Sequence, residues 1–76
     1  PEGTLLYFRN VDRPGVIGKV GTILGKYNIN IAGFELSRQK TGDAMAFVSI
    51  DNKIPKKVID EIIGIDGMIL AKVVEI

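Results

Sequence analysis

The 76-residue chain contains no cysteine and no histidine. The first absence excludes a disulfide as a source of stability, and the two together remove the usual ligands of a zinc site. They also remove the side chains on which acid–base and nucleophilic catalysis most often draw. A charge excess is missing too. Ten Lys and Arg stand against nine Asp and Glu, leaving +1, which argues against nucleic acid or an anionic membrane as the main partner. No apolar run approaches the ~20 residues of a membrane span, and no signal-peptide pattern is visible.

What is there is a single small domain, with no linker and no low-complexity stretch. A chain this short buries only about 60% of the surface it exposes when unfolded. Yet 46% of its residues are hydrophobic, and an apolar surface covered by a second chain reconciles the two. The first residue is Pro1 rather than Met, which reads as a processed chain or an excised piece of a larger protein. The default compartment is the cytoplasm.

Thr4 to Asn10 is rich in strand formers, and Asn10 to Arg13 reads as a loop. Pro14 suits a first helical position, where its missing N–H costs nothing. Val16, Ile17, Val20, Ile23, Leu24 and Tyr27 then recur at helical spacing. The helix is expected to end near Tyr27, with Asn28 as a left-handed stop. Ile29–Arg38 and Ala44–Ile50 read as strands joined through the turn signal Lys40-Thr41-Gly42-Asp43. Pro55 opens a second helix with Val58, Ile59, Ile62 and Ile63 on one face, Gly64 stops it, and Met68 to Glu75 is a last strand. This order predicts an α+β, ferredoxin-like βαββαβ fold: a four-stranded antiparallel sheet, strand order 4-1-3-2, with both helices on one face.

RNA-recognition modules share this order, and Leu6-Tyr7-Phe8-Arg9-Asn10 resembles their first-strand motif. Their third strand needs a basic residue and aromatics around the Ala46-Phe47-Val48 position. Here Asp43-Ala44-Met45 precedes it and Ile50 stands at the later aromatic position, so stacking and charge are both depleted. As an enzyme the chain offers only Asp12 beside a glycine-bearing turn, a weak catalytic signal, and no catalytic residue is assigned. Gly18, Gly21 and Gly25 fit neither a Rossmann fingerprint nor a P-loop. Each costs roughly 1 kcal/mol against alanine in a helix. They mark either a helix that tolerates glycine or a stripe, well away from the apolar face, where another element comes close.

The segment Asp12-Arg13-Pro14-Gly15 raises a binding site. At the start of the first helix the N–H groups of Gly15, Val16 and Ile17 are expected to be unpaired and to carry partial positive charge, a cradle for an anion. Asp12 beside it supplies the opposite charge. Together they suit a zwitterionic amino acid: its carboxylate on the N–H groups, its ammonium on Asp12. Alternatively, Asp12 only caps the helix or pairs with Arg13.

Asp12-Arg13-Pro14-Gly15-Val16, the glycine-bearing helix and Asn28-Ile29-Asn30-Ile31 resemble an ACT domain, a ferredoxin-like module that binds amino acids and regulates metabolic enzymes. The likeness covers nearly the whole chain. Pro1-Glu2-Gly3 before Leu5-Leu6, Arg9-Asn10 before the loop, and Val73-Val74-Glu75-Ile76 at the end are similar to the members that regulate an NAD-dependent dehydrogenase of serine biosynthesis. The resemblance implies L-serine as ligand, at Asn10, Asp12 and Asn30, with no cofactor in this domain and NAD in the parent enzyme. The ACT domain of an iron–sulfur L-serine dehydratase and a ligand-free oligomerisation module are the alternatives. In the predicted topology Asn30 lies too far from Asp12 to share a site within one chain. Antiparallel pairing of two second strands, residues about 29–38, about a two-fold axis would bring them together in a homodimer.

Overall fold

The computed structural model describes residues 3–75. Pro1, Glu2 and Ile76, which contribute to the resemblance, lie outside them. The order is β1 (Thr4–Val11), α1 (Val16–Lys26), β2 (Ile31–Arg38), β3 (Asp43–Ile50), α2 (Lys56–Ile63) and β4 (Met68–Glu75). The four strands form one antiparallel sheet in the order β2-β3-β1-β4, as expected. Strand β1 alternates strictly: Thr4, Leu6, Phe8 and Asn10 are buried, while Leu5, Tyr7 and Arg9 are only partly covered. That period of two places one row of side chains under the helices and the other on the open face.

The core lies between sheet and helices. Leu6, Phe8, Ala46, Val48 and Ile50 meet Val20 and Leu24 of α1 and Val58 and Ile62 of α2, all but sealed from solvent. Burying each large side chain contributes roughly 1.5–3 kcal/mol, so Phe8→Ala at the centre would cost about 3–5 kcal/mol. Asn28 takes φ 57 and ends α1, the left-handed stop expected from the sequence. Ile63 departs from its expected place on the apolar face of α2: it is 52% exposed, because the helix turns only Val58 and Ile62 fully inward.

Two other expectations need correction. Pro14 is not the first helical residue. Gly15 takes φ 93 and ψ −21, close to the third position of a type II turn with proline ahead of it, so α1 starts at Val16. Strand β2 begins at Ile31, two residues later than expected, and its alternation is interrupted. Ile31 pairs with Ile50 and Gly33 with Ser49, so an extra residue, Ala32, is accommodated as a bulge. After the bulge Phe34, Leu36 and Arg38 pair with the buried Val48, Ala46 and Ala44 and share their helix side of the sheet.

Candidate functional site

The loop after β1 is pinned from both sides. Val11 donates its N–H to the Gly67 carbonyl at 2.8 Å, in the turn before β4, and Asp12 donates to the Gly42 carbonyl at 2.9 Å, in the β2–β3 turn. The loop is thereby clamped between two turns that both contain a glycine at positive φ. A cavity of about 500 Å³ opens between this loop, the start of α1 and the end of β2. Ile17, Leu36 and Ala44 form an apolar floor. Asp12 and Arg38 stand opposite each other at the rim, with Arg38 Nε 3.4 Å from Asp12 Oδ1.

Of the residues expected at the site, Asp12, Gly15 and Ile17 line this cavity. Val16 does not; it is 2% exposed and packed inward. Asp12 neither caps α1, which has no side-chain cap, nor pairs with Arg13. Arg13 instead meets Asp66 at 2.9 Å. Because Gly15 precedes the helix and Lys19 donates to its carbonyl at 3.0 Å, the opening N–H groups of α1 are those of Val16, Ile17 and Gly18, one residue later than expected.

Asn10 does not line the cavity; it is 1% exposed, on β1 opposite Ala44, which does. Its Nδ2 donates to the Val11 carbonyl at 2.9 Å, and its Oδ1 is buried without a hydrogen-bond partner. Asn30 precedes Ile31, whose register partner Ile50 faces Thr4. It therefore sits at the opposite end of the sheet from Asp12, about 24 Å away at ~3.4 Å per strand residue.

Arg38 carries a charge at the rim that sequence reasoning missed. The available signal was its place as the last basic residue before the Lys40–Asp43 turn, but its side of the sheet depends on the bulge at Ala32.

A second feature adjoins β2. Ile17, Val20, Gly21, Leu24, Phe34 and neighbouring groups line an apolar groove of about 330 Å³ between α1 and β2. Ile31, Phe34 and Leu36 on that side are 40–42% exposed. Gly21 thus borders apolar surface rather than lying away from it. A Cβ at Gly18, Gly21 or Gly25 would meet nothing within 4 Å, so among the described residues no element approaches the glycine stripe.

Away from the cavity, Glu61 accepts hydrogen bonds from the Tyr27 hydroxyl and from Lys26 Nζ, the latter at 3.0 Å. The Tyr27 bond foremost, and then Lys26, hold the Glu61 carboxyl below its ordinary range, while Glu61 raises both Tyr27 and Lys26. Among the described residues no group of three or more Asp and Glu could hold a metal ion, and no helix is long and apolar enough to cross a membrane.

The ACT domain profile matches residues 4–67, and the chain belongs to the ACT domain family. It is 40% identical over 63 residues to D-3-phosphoglycerate dehydrogenase of Methanocaldococcus jannaschii, covering 82% of this chain and 12% of that enzyme. Against D-3-phosphoglycerate dehydrogenase of Bacillus subtilis it is 35% identical over 77 residues, covering 100% of this chain and 15% of the enzyme. The chain therefore spans a small fraction of these relatives' length. The fold is that of the ACT domain of a Chlorobium tepidum GTP pyrophosphokinase, at TM-score 0.75, 15% identity and coverage of 97% and 100%. A formyltetrahydrofolate deformylase from Pseudomonas syringae also shares it, at TM-score 0.80, 16% identity and coverage of 97% and 27%.

Proposed function

We propose that this domain senses an amino acid, L-serine, and joins two subunits of a D-3-phosphoglycerate dehydrogenase, so that ligand binding regulates that NAD-dependent enzyme of serine biosynthesis. The domain itself carries no catalysis and no cofactor. The observation that carries the reading is the cavity with an apolar floor and the loosely paired charges of Asp12 and Arg38 at its rim. A zwitterion needs two opposed charges a few ångströms apart, and charge-assisted bonds to them contribute roughly 1.5–3 kcal/mol each. Asp12 takes the ammonium, and the start of α1, with its opening N–H groups at Val16, Ile17 and Gly18, lends positive potential to the carboxylate side.

The dimer half of the proposal rests on β2. It is an edge strand with seven of its eight residues exposed, beside an open apolar groove. Antiparallel pairing of two such strands covers both edges and brings the partner copy of Asn30 beside Asp12 and Arg38. A ligand spanning the seam stabilises the dimer by mass action, the linkage through which it acts on the rest of the enzyme.

Calorimetry with L-serine at millimolar concentration tests the sensing half: binding is expected and Asp12→Ala removes it. No heat from wild type would overturn serine sensing and leave an oligomerisation module. The floor of Ile17, Leu36 and Ala44 favours a second reading, an aliphatic amino acid. L-valine displacing L-serine with higher affinity would select it.

A further inference from the structure

In the site proposed above Asp12 and Arg38 already neutralise each other, so a zwitterion has to part the two before it can meet either charge. Arg38 ends β2 and crosses the cavity mouth toward Asp12, at an Nε–Oδ1 distance of 3.4 Å. That is longer than the ~2.7–2.9 Å of a tight charge-assisted hydrogen bond, so the two ions face each other loosely. The helix start is a limited alternative anion site, since Val16 is buried and does not line the cavity whereas Arg38 does.

Resting on the amino-acid reading, we propose that Arg38 binds the ligand's α-carboxylate and that the ligand enters by inserting into the Asp12–Arg38 ion pair. The ammonium takes Arg38's place on Asp12, and the carboxylate takes Asp12's place on Arg38. One opposed pair of charges is exchanged for two, and no net charge is added to the site. The planar fork of arginine matches a carboxylate with two parallel N–H bonds, which lysine cannot reproduce. The exchange also has a structural consequence. Asp12 belongs to the loop leaving β1 and Arg38 to the edge strand, so an inserted amino acid ties the edge strand to the loop through itself. A substance with an ammonium but no carboxylate satisfies only half of the pair and leaves Arg38 displaced.

The test is calorimetry on this chain with L-serine and L-serinamide as probes, on wild type, Arg38→Gln and Arg38→Lys. Arg38 is 71% exposed in its side chain, and melting temperatures equal to that of wild type confirm that both variants are folded. Arg38→Gln is expected to weaken L-serine by about tenfold or more, and Arg38→Lys to recover part of the loss. Replacing L-serine by L-serinamide should cost wild type a similar factor and cost Arg38→Gln little further, because both changes remove the same contact. L-serine bound by Arg38→Gln within twofold of wild type would overturn the role of Arg38 and leave the sensing proposal intact. So would two losses that multiply in full. Should wild type bind neither L-serine nor L-valine, the sensing proposal fails and this one with it.

Discussion

Gly67 and Arg13 are packed so closely that a Cβ on Gly67 would lie 2.9 Å from Arg13 Nη2 and 3.2 Å from Val16 Cγ2. The same glycine holds φ 97 and accepts the Val11 N–H. One residue thus keeps the loop, the helix start and the Arg13–Asp66 pair in register.

Gly67→Ala should therefore lose about 1–2 kcal/mol, from the positive φ first and then from displacement of Arg13 and Val16. Urea denaturation reads the change. An unshifted midpoint would mean that the turn relaxes without disturbing the loop.

The buried Asn10 offers a contrast between two substitutions of similar size. Asn10→Val removes one hydrogen bond and one unsatisfied acceptor together, so stability should stay within about 1 kcal/mol of wild type. Asn10→Asp puts a carboxylate where exposure is 1% and should cost about 3 kcal/mol or more near neutral pH. If both behaved alike, Oδ1 would have to be solvated.

Phe34 stands at the groove beside the edge strand, 42% exposed. Phe34→Lys places an ammonium in the proposed seam and should weaken the dimer by about thirtyfold or more, read by sedimentation over a concentration series. Unchanged self-association would move the interface away from β2.

Acid stability should report Glu61. Its carboxyl is held below the ordinary value of 4.5 in the folded chain, so its contribution is complete above that pH. It is lost as the pH falls through the lowered value. Lys26 and Tyr27 are raised above 10.5 and 10.0, so theirs is complete below those values and lost as the pH rises past them. Glu61→Gln should flatten both limbs of a stability–pH curve, and denaturation midpoints at pH 3, 4, 6 and 11 check it.

The six elements and the strand order were legible because hydrophobic period and turn residues agree along the chain. Asp12, Gly15 and Ile17 were legible as cavity residues because all three surround one loop-to-helix junction. Arg38 was not. Simple alternation from Ile31 puts residues 33, 35 and 37 on the helix side and Arg38 on the other, and only the bulge at Ala32 reverses this. A bulge depends on tertiary pairing, which one strand's sequence does not display. The depth of Asn10 escaped for a related reason. As a polar residue near a loop it suggests exposure, but the β1 register carries it under the helices with Phe8.

Thr4 and Glu75 are register partners in neighbouring antiparallel strands, so the two ends of the sheet's outer pair lie about 5 Å apart. A short linker there would turn β4 and β1 into a hairpin and allow the chain to be circularly permuted. New ends at Asp51–Lys53, in an exposed connection, should leave fold and ligand binding unchanged. New ends between Thr41 and Gly42 would loosen the carbonyl that receives the Asp12 N–H. That permutant should fold but bind L-serine less tightly, separating by connectivity alone what the domain needs to stand up from what it needs to hold a guest.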